Sequence, residues 1–214
     1  MKIFNSLDEI NKVEPTVVAL GNFDGVHRGH QEIINRSVKE AETAGLKSAV
    51  FTFSNHTSTL LKNVEPVKNI LYHDEKVRIL EGMGIDYLFN IPFTEEILNM
   101  SPLDFIEKIL VEKFNIREAY CGFNYRFGYR AQGNPEVLMK EGIRRGFGIH
   151  VQEPFEIDGI VVSSTYIRKL IQEGRMEECT RFMGRMYSIS GEIVKGNMLG
   201  RTIGFPTCNI TVDN

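Results

Sequence analysis

Apolar residues in this chain fall into short runs that alternate with longer stretches of helical spacing. Residues 15–23, PTVVALGNF, make a compact apolar run ending in glycine, the pattern of a strand buried on both faces. In residues 30–45, HQEIINRSVKEAETAG, Ile33, Ile34, Val38 and Ala41 recur at helical intervals until Gly45 stops them. The alternation then repeats. Residues 47–53 (KSAVFTF) predict a second strand, 73–84 (HDEKVRILEGMG) a helix closed by glycines, and 85–91 (IDYLFNI) a third strand. Residues 101–114 (SPLDFIEKILVEKF) open with a serine in capping position and a proline at the first helical position, a favourable helix start. Residues 116–123 (IREAYCGF), 134–146 (NPEVLMKEGIRRG) and 147–155 (FGIHVQEPF) add a strand, a helix and a fifth strand.

Strand–helix alternation of this kind predicts an α/β fold, a doubly wound parallel sheet with helices on both faces. Such a sheet places its ligand site beyond the carboxyl ends of its strands, and the first strand runs out at Gly21. Beyond about residue 185 the helical spacing ends. Residues 186–214 show alternating apolar positions and glycine turns, the start of a β segment that stops before a sandwich or barrel could close.

Composition narrows the function classes. With 214 residues, 42% hydrophobic and 25% charged, the chain suits a globular domain plus a little more, and no run is long enough to cross a bilayer. The N-terminal MKIFNSLDEI lacks the apolar core of a signal peptide, so a cytoplasmic setting is expected. The three cysteines, Cys121, Cys179 and Cys208, have neither zinc-ligand nor redox spacing. A net charge of −3 gives no field for long nucleic acids, so any anionic substrate must be held by a local site.

Four segments offer such a site. In GNFDGVHRGHQ (21–31), Gly21 and Gly25 let the backbone turn close to a ligand, and the helix starting near Gly29 or His30 aims free N–H groups and a positive dipole end into that turn. His27 and His30 could donate to phosphoryl oxygens there. Asp24, His27 and His30 could instead supply metal ligands, or the loop could be merely polar; no further His, Cys or Asp cluster stands out to complete a metal site. GFNYRFGYR (122–130), at the end of the fourth predicted strand, offers Asn124, arginines and aromatic rings able to stack on a planar group. In VVSSTYIRK (161–169), the hydroxyls suit a helix cap, and Ser164, Thr165 and Arg168 could also converge on a polyphosphate. In GRTIGFPTCNI (200–210), Thr207 and Asn209 lie two apart on an extended strand and so share a side, as a magnesium–phosphate contact would use.

In this order, the four segments resemble those of the bacterial bifunctional riboflavin kinase/FAD synthetase family. GNFDGVHRGHQ resembles its form of the nucleotidyltransferase HxGH signature, GFNYRFG and SSTYIR its next adenylyltransferase motifs, and GRTIGFPTCNI the opening of its kinase domain. The resemblance implies a Rossmann-like FMN adenylyltransferase domain over residues 1–184 and the N-terminal part of a riboflavin kinase β-barrel over 185–214. The implied reaction moves AMP from ATP to FMN, giving FAD and pyrophosphate, with Mg²⁺. By motif match, Gly21, Phe23, Asp24, Gly25, His27, Gly29, His30, Ser163, Ser164, Thr165 and Arg168 would bind ATP, with His27, His30, Asn124 and Arg168 at the reacting phosphates. Phe53, His56, Asn124, Arg126 and Phe127 would hold the flavin. Thr207 and Asn209 fall on the kinase's magnesium positions.

Two departures matter. The family's Pro-His-Pro after the second strand is here Asn55-His56-Thr57, a stiff loop turned flexible. The kinase's later strands and catalytic glutamate lie beyond the last residue of this sequence, so riboflavin kinase activity is not expected of it. Two other readings fit the same motifs: a nucleotidyltransferase for another phosphorylated acceptor, and a non-catalytic module binding flavin and nucleotide. Oligomeric state is not legible.

Overall fold

The computed structural model describes residues 1–55, 60, 67–196, 199–205 and 207–211. Its centre is a six-stranded, wholly parallel sheet. The strands are β1 (Lys2–Phe4), β2 (Thr16–Leu20), β3 (Lys47–Phe53), β4 (Tyr87–Ile91), β5 (Ile116–Gly122) and β6 (Gly148–Gln152), in the order β1-β4-β3-β2-β5-β6. The chain steps one way from β2 to β3 and β4, then returns to lay β5 on the other side of β2. The switch point therefore lies between the carboxyl ends of β2 and β5, where a doubly wound sheet opens a crevice. This is the predicted fold class.

Every residue of β2, TVVAL, is buried, because helices cover both sides of the sheet. Val18 and Leu20 point into one apolar layer with Ala49, Phe51, Phe89, Phe105 and Phe114. Val17 and Ala19 point into the other. That second layer is built by helices α1 (Arg28–Ala44) and α2 (His73–Gly82), together with the later helices α6 (Ser164–Gln172) and α7 (Met176–Met183). Full burial of a valine or leucine side chain stabilises by roughly 1.5–3 kcal/mol, so polar substitutions at Val17, Val18 or Leu20 would be costly.

Local signals account for most boundaries. Gly45, in the left-handed region at φ 65°, ends α1. Between β4 and β5 come the short helix α3 (Glu95–Asn99) and α4 (Pro102–Asp104). Ser101 caps α4, its Oγ accepting from the Asp104 N–H at 3.1 Å, with Pro102 in the first turn. The helix then widens into a π-helical stretch, Phe105–Val111, which the sequence pattern did not predict. Asn134 caps α5 (Pro135–Arg145) with the amide of Val137 at 2.9 Å. A small hairpin, β7 (Glu156–Ile157) with β8 (Ile160–Val161), leads into α6.

Past α7 the chain forms β9 (Ile193–Val194), α8 (Leu199–Thr202) and β10 (Asn209–Ile210). Strands β9 and β10 pair only with each other, antiparallel, and neither joins the main sheet.

Candidate active site

At the end of β2 the backbone makes a tight and unusual loop. Phe23 and Val26 both have positive φ, 47° and 37°, and Gly25 sits at 83°. Glycine adopts such values freely, but the β-branched Val26 does so only under constraint. The constraint is visible. Each carbonyl from Asn22 to Val26 accepts a hydrogen bond: Asn22 from Thr52 Oγ1 at 2.8 Å, Phe23 from the Val26 amide at 3.1 Å, Asp24 from Ser164 Oγ at 2.8 Å, Gly25 from Arg185 at 2.6 Å, and Val26 from Gln31 at 2.8 Å and Arg185 at 3.0 Å. The Asp24 carboxylate is spent on the Ile70 amide, at 2.9 Å, and on the Arg168 guanidinium.

The loop delivers two histidines to the start of α1. His27 is the N-cap, and its Nδ1 accepts from the His30 N–H at 3.3 Å. That bond puts the proton of a neutral His27 on Nε2. The His30 ring stacks on His27, centroids 3.5 Å apart and planes 18° apart, and meets Phe23 edge-on. Burial pushes the pKa of His27 down to about 4, with the charge of Arg185 adding to the effect. His30 is held well below the usual histidine range, first by burial, then by the charges of His27, Lys76 and Arg185. Both rings are therefore neutral at pH 7. His30 Nδ1 is buried without a hydrogen-bond partner.

The switch-point crevice is a cavity of about 580 Å³. Its lining includes Gly21, Asn22, Asp24, His30, Asn124, Ser164, Arg126 and Arg130. The same cavity is lined by the apolar and aromatic side chains of Phe23, Phe51, Phe53, Phe93, Ile97, Leu98, Phe105, Tyr125 and Phe127. The second segment folds over this mouth through a bridge from Phe127 to Gly133. Gly128 is required there, at φ 70°, because a Cβ would stand 2.8 Å from the Pro102 nitrogen. Asp24, paired with Arg168, is the one acid among the described lining residues, so the cavity favours an anionic ligand with a flat apolar part.

Of the residues singled out in the sequence, Gly21, Phe23, Asp24, His30, Phe53, Asn124, Arg126, Phe127 and Ser164 line this cavity. His27 lies behind His30, and Gly25 and Gly29 are buried in the loop and first turn. Ser163 is the N-cap of α6, its Oγ accepting from the Tyr166 amide. Arg168 reaches Asp24 and the Lys68 carbonyl, and neither it nor Thr165 lines the cavity. The expected convergence of Ser164, Thr165 and Arg168 on one ligand is thus only in part the geometry found. Ser164 and Arg168 converge on Asp24, because that buried carboxylate and carbonyl need partners. His56 lies outside the described residues. Thr207 and Asn209 rim a separate, solvent-facing hollow with Lys195 and Arg201.

For a metal held by Asp24, His27 and His30, both carboxylate oxygens and His27 Nδ1 are already engaged within the protein. Among the described residues no group of three His, Cys, Asp or Glu side chains could hold a metal ion. Two functional candidates escaped the sequence. Lys76 on α2 donates to Thr52 Oγ1 at 3.2 Å and the Phe53 carbonyl at 2.9 Å, and burial lowers its pKa to about 8. Arg185, bonded to the loop, follows α7. A single lysine on an amphipathic helix and an arginine after one carry no motif.

Comparison with known proteins gives the family. Residues 9–166 match the family model described as FAD synthetase, and residues 183–214 match that of riboflavin kinase. The chain belongs to the FAD synthetase family. The bifunctional riboflavin kinase/FMN adenylyltransferase of Listeria monocytogenes is 35% identical over 96% of this chain and 64% of its own length. That of Buchnera aphidicola from Acyrthosiphon pisum is 33% identical over 98% of this chain and 67% of its own. The Bacillus subtilis protein of the same name is 34% identical over 93% and 63%. The chain thus spans about two thirds of the length of these relatives. A crystal structure from Streptococcus pneumoniae described as a macrolide-efflux protein superposes with a TM-score of 0.86 at 28% identity, over 99% of this chain and 69% of that one. Among the described residues, no helix is long and apolar enough to cross a membrane.

Proposed function

We propose that this chain is an FMN adenylyltransferase, transferring AMP from ATP to the phosphate of FMN to give FAD and pyrophosphate. The observation that carries the reading is the mixed lining of the switch-point cavity, with the polar groups of His30, Asn124 and Ser164 and the rings of Phe53, Phe105 and Phe127. The polar groups suit phosphates and the rings a planar ring system, and the family membership supplies the pair of substrates.

In this reaction an oxygen of the FMN phosphate attacks the α-phosphorus of ATP, and the bond from that phosphorus to the pyrophosphate oxygen breaks. The nucleophile is anionic near pH 7, so no strong base is needed. Catalysis consists of bringing two polyanions into line and stabilising charge on the α-phosphate and the leaving group. His30 is neutral, faces the cavity and donates one N–H to the phosphates. His27 holds the helix start and the face of His30. The amino end of α1 adds its dipole. Asn124 and Arg126 sit across the mouth, at the acceptor side.

Among the described residues no carboxylate in the cavity is free for a cation, so Mg²⁺ would arrive on the triphosphate as part of the substrate. The free, buried thiols Cys121 and Cys179 suit the reducing cytoplasm, where ATP and FMN are available. The domain carrying this activity would run to about residue 184. Incubation of the protein with FMN, ATP and Mg²⁺, followed by chromatography, should yield FAD in step with pyrophosphate. Binding of both substrates without FAD would leave a non-catalytic module, and pyrophosphate release only with a different phosphorylated acceptor would change the substrate.

A further inference from the structure

Arg185 lies two residues past α7, inside the stretch that matches the riboflavin kinase model, yet its contacts run to the histidine loop. It donates from Nη2 to the Gly25 carbonyl at 2.6 Å and from Nη1 to the Val26 carbonyl at 3.0 Å, with a longer contact of 3.5 Å to the Met183 carbonyl. Gln31 of α1 ties the same pieces together, donating to the Val26 carbonyl at 2.8 Å and the Met183 carbonyl at 2.9 Å. These carbonyls belong to the residues at φ 83° and 37° immediately before His27. A planar guanidinium offers two fixed donors to two successive carbonyls, which a lysine ammonium cannot reproduce.

We propose that Arg185 is a positioning residue for adenylyl transfer, clamping the Gly25 and Val26 carbonyls so that the strained turn aims His30 into the cavity. The inference rests on the adenylyltransferase reading for its kinetic test. It makes the first residues of the kinase-like stretch a working part of the adenylyltransferase site. Burial is the main cause of the low pKa of both histidines, and the Arg185 charge adds to it in the same direction. Glu75 faces Arg185 from α2 and favours its charged form, while burial opposes it.

The test compares Arg185→Ala, Arg185→Lys and, as a control, Arg181→Ala, an exposed arginine paired with Asp158, all in the full chain. Arg185→Ala is expected to lower kcat for FAD formation about tenfold or more with both KM values within about twofold, the pattern of a lost alignment rather than lost binding. Arg185→Lys should recover part of the rate, and Arg181→Ala all of it. Nitrogen-15 spectra of the imidazoles supply a readout that needs no turnover: in Arg185→Ala the titrations of His27 and His30 should move to higher pH. If the wild-type protein makes no FAD, the functional reading fails and these spectra alone decide the clamp. Wild-type kcat in a folded Arg185→Ala, or unchanged imidazole titrations, overturns the proposal. Should Arg185→Ala not fold, a wild-type kcat in Arg185→Lys overturns it, and a several-fold fall at unchanged KM supports it.

Discussion

The loop from β2 to α1 and the segment from β9 through α8 to β10 both carry glycines, and the molecule treats them oppositely. In the first, Phe23 and Val26 are 1% and 0% exposed and every carbonyl from Asn22 to Val26 is bonded. In the second, Ile203 and Phe205 are 72% and 75% exposed, and its two strands pair only with each other. A site needs side chains held against thermal averaging, and that comes from groups outside the loop that satisfy its backbone. The first loop has them from β3, α1, α6 and Arg185.

Removing a support of the first loop should therefore have the largest effect. Asp24→Ala takes away the partner of the Arg168 guanidinium and the acceptor of the Ile70 amide, both partly or fully shielded from water. Breaking a shielded pair by deleting one side leaves an uncompensated charge, so a loss of about 3 kcal/mol is expected, read by urea unfolding. FAD formation should fall with it. Unchanged stability would mean that the loop is held by its other bonds alone.

His30→Ala leaves those supports in place and removes the donor that faces the cavity. FMN-to-FAD turnover should drop roughly 10²-fold or more, the scale for one lost oxyanion-type donor, while the unfolding midpoint moves little. A variant with wild-type turnover would remove His30 from the phosphates.

The third prediction separates the charge state of the loop from its shape. An unfolded histidine titrates near 6.5, while His27 in the fold is pushed down to about 4. As pH falls from 6.5 towards 4 the unfolded chain takes up a proton that the folded one refuses, so stability is full above 6.5 and declines through that window. The size of the shift makes this a loss of about 2 kcal/mol by pH 5, with His30 adding in the same direction. His27→Asn keeps a good helix cap without the titration and should flatten the decline in urea unfolding at pH 7 and pH 5. An equal decline in wild type and variant would assign the acid sensitivity to other groups.

These contrasts also show how far the chain could be read before folding. Strands β2 to β6 and helices α1, α2 and α5 were legible because each has an apolar run or helical spacing bounded by a capping residue or glycine. Strand β1 was not, since three residues are too few for alternation to register. Nor was the π-helical turn at Phe105, which brings an aromatic ring to the cavity without a composition of its own. The histidine pair was visible as chemistry, but its division of labour was not: nothing in HxGH spacing says that His27 caps the helix behind His30. Arg185 was hidden for a different reason. It stands 160 residues from its acceptor in sequence, and the acceptor is a backbone carbonyl, which any residue can supply. Resemblance identified the segments, and folding decided which of their side chains reach the cavity.

The smallest effect belongs to the second segment. Thr207→Ala with Asn209→Ala removes both polar side chains from the hollow beside Lys195 and Arg201. Both residues are exposed, and none of their atoms lines the switch-point cavity. Exposed substitutions away from caps, cores and strained positions change stability by about 0.5 kcal/mol or less, so unfolding should coincide with wild type. FAD formation should coincide as well. A fall in FAD formation at unchanged stability would reverse the comparison, since it would tie a solvent-exposed segment to the chemistry of a buried loop, and the contact carrying that coupling would have to run through Arg185 and the residues that follow it.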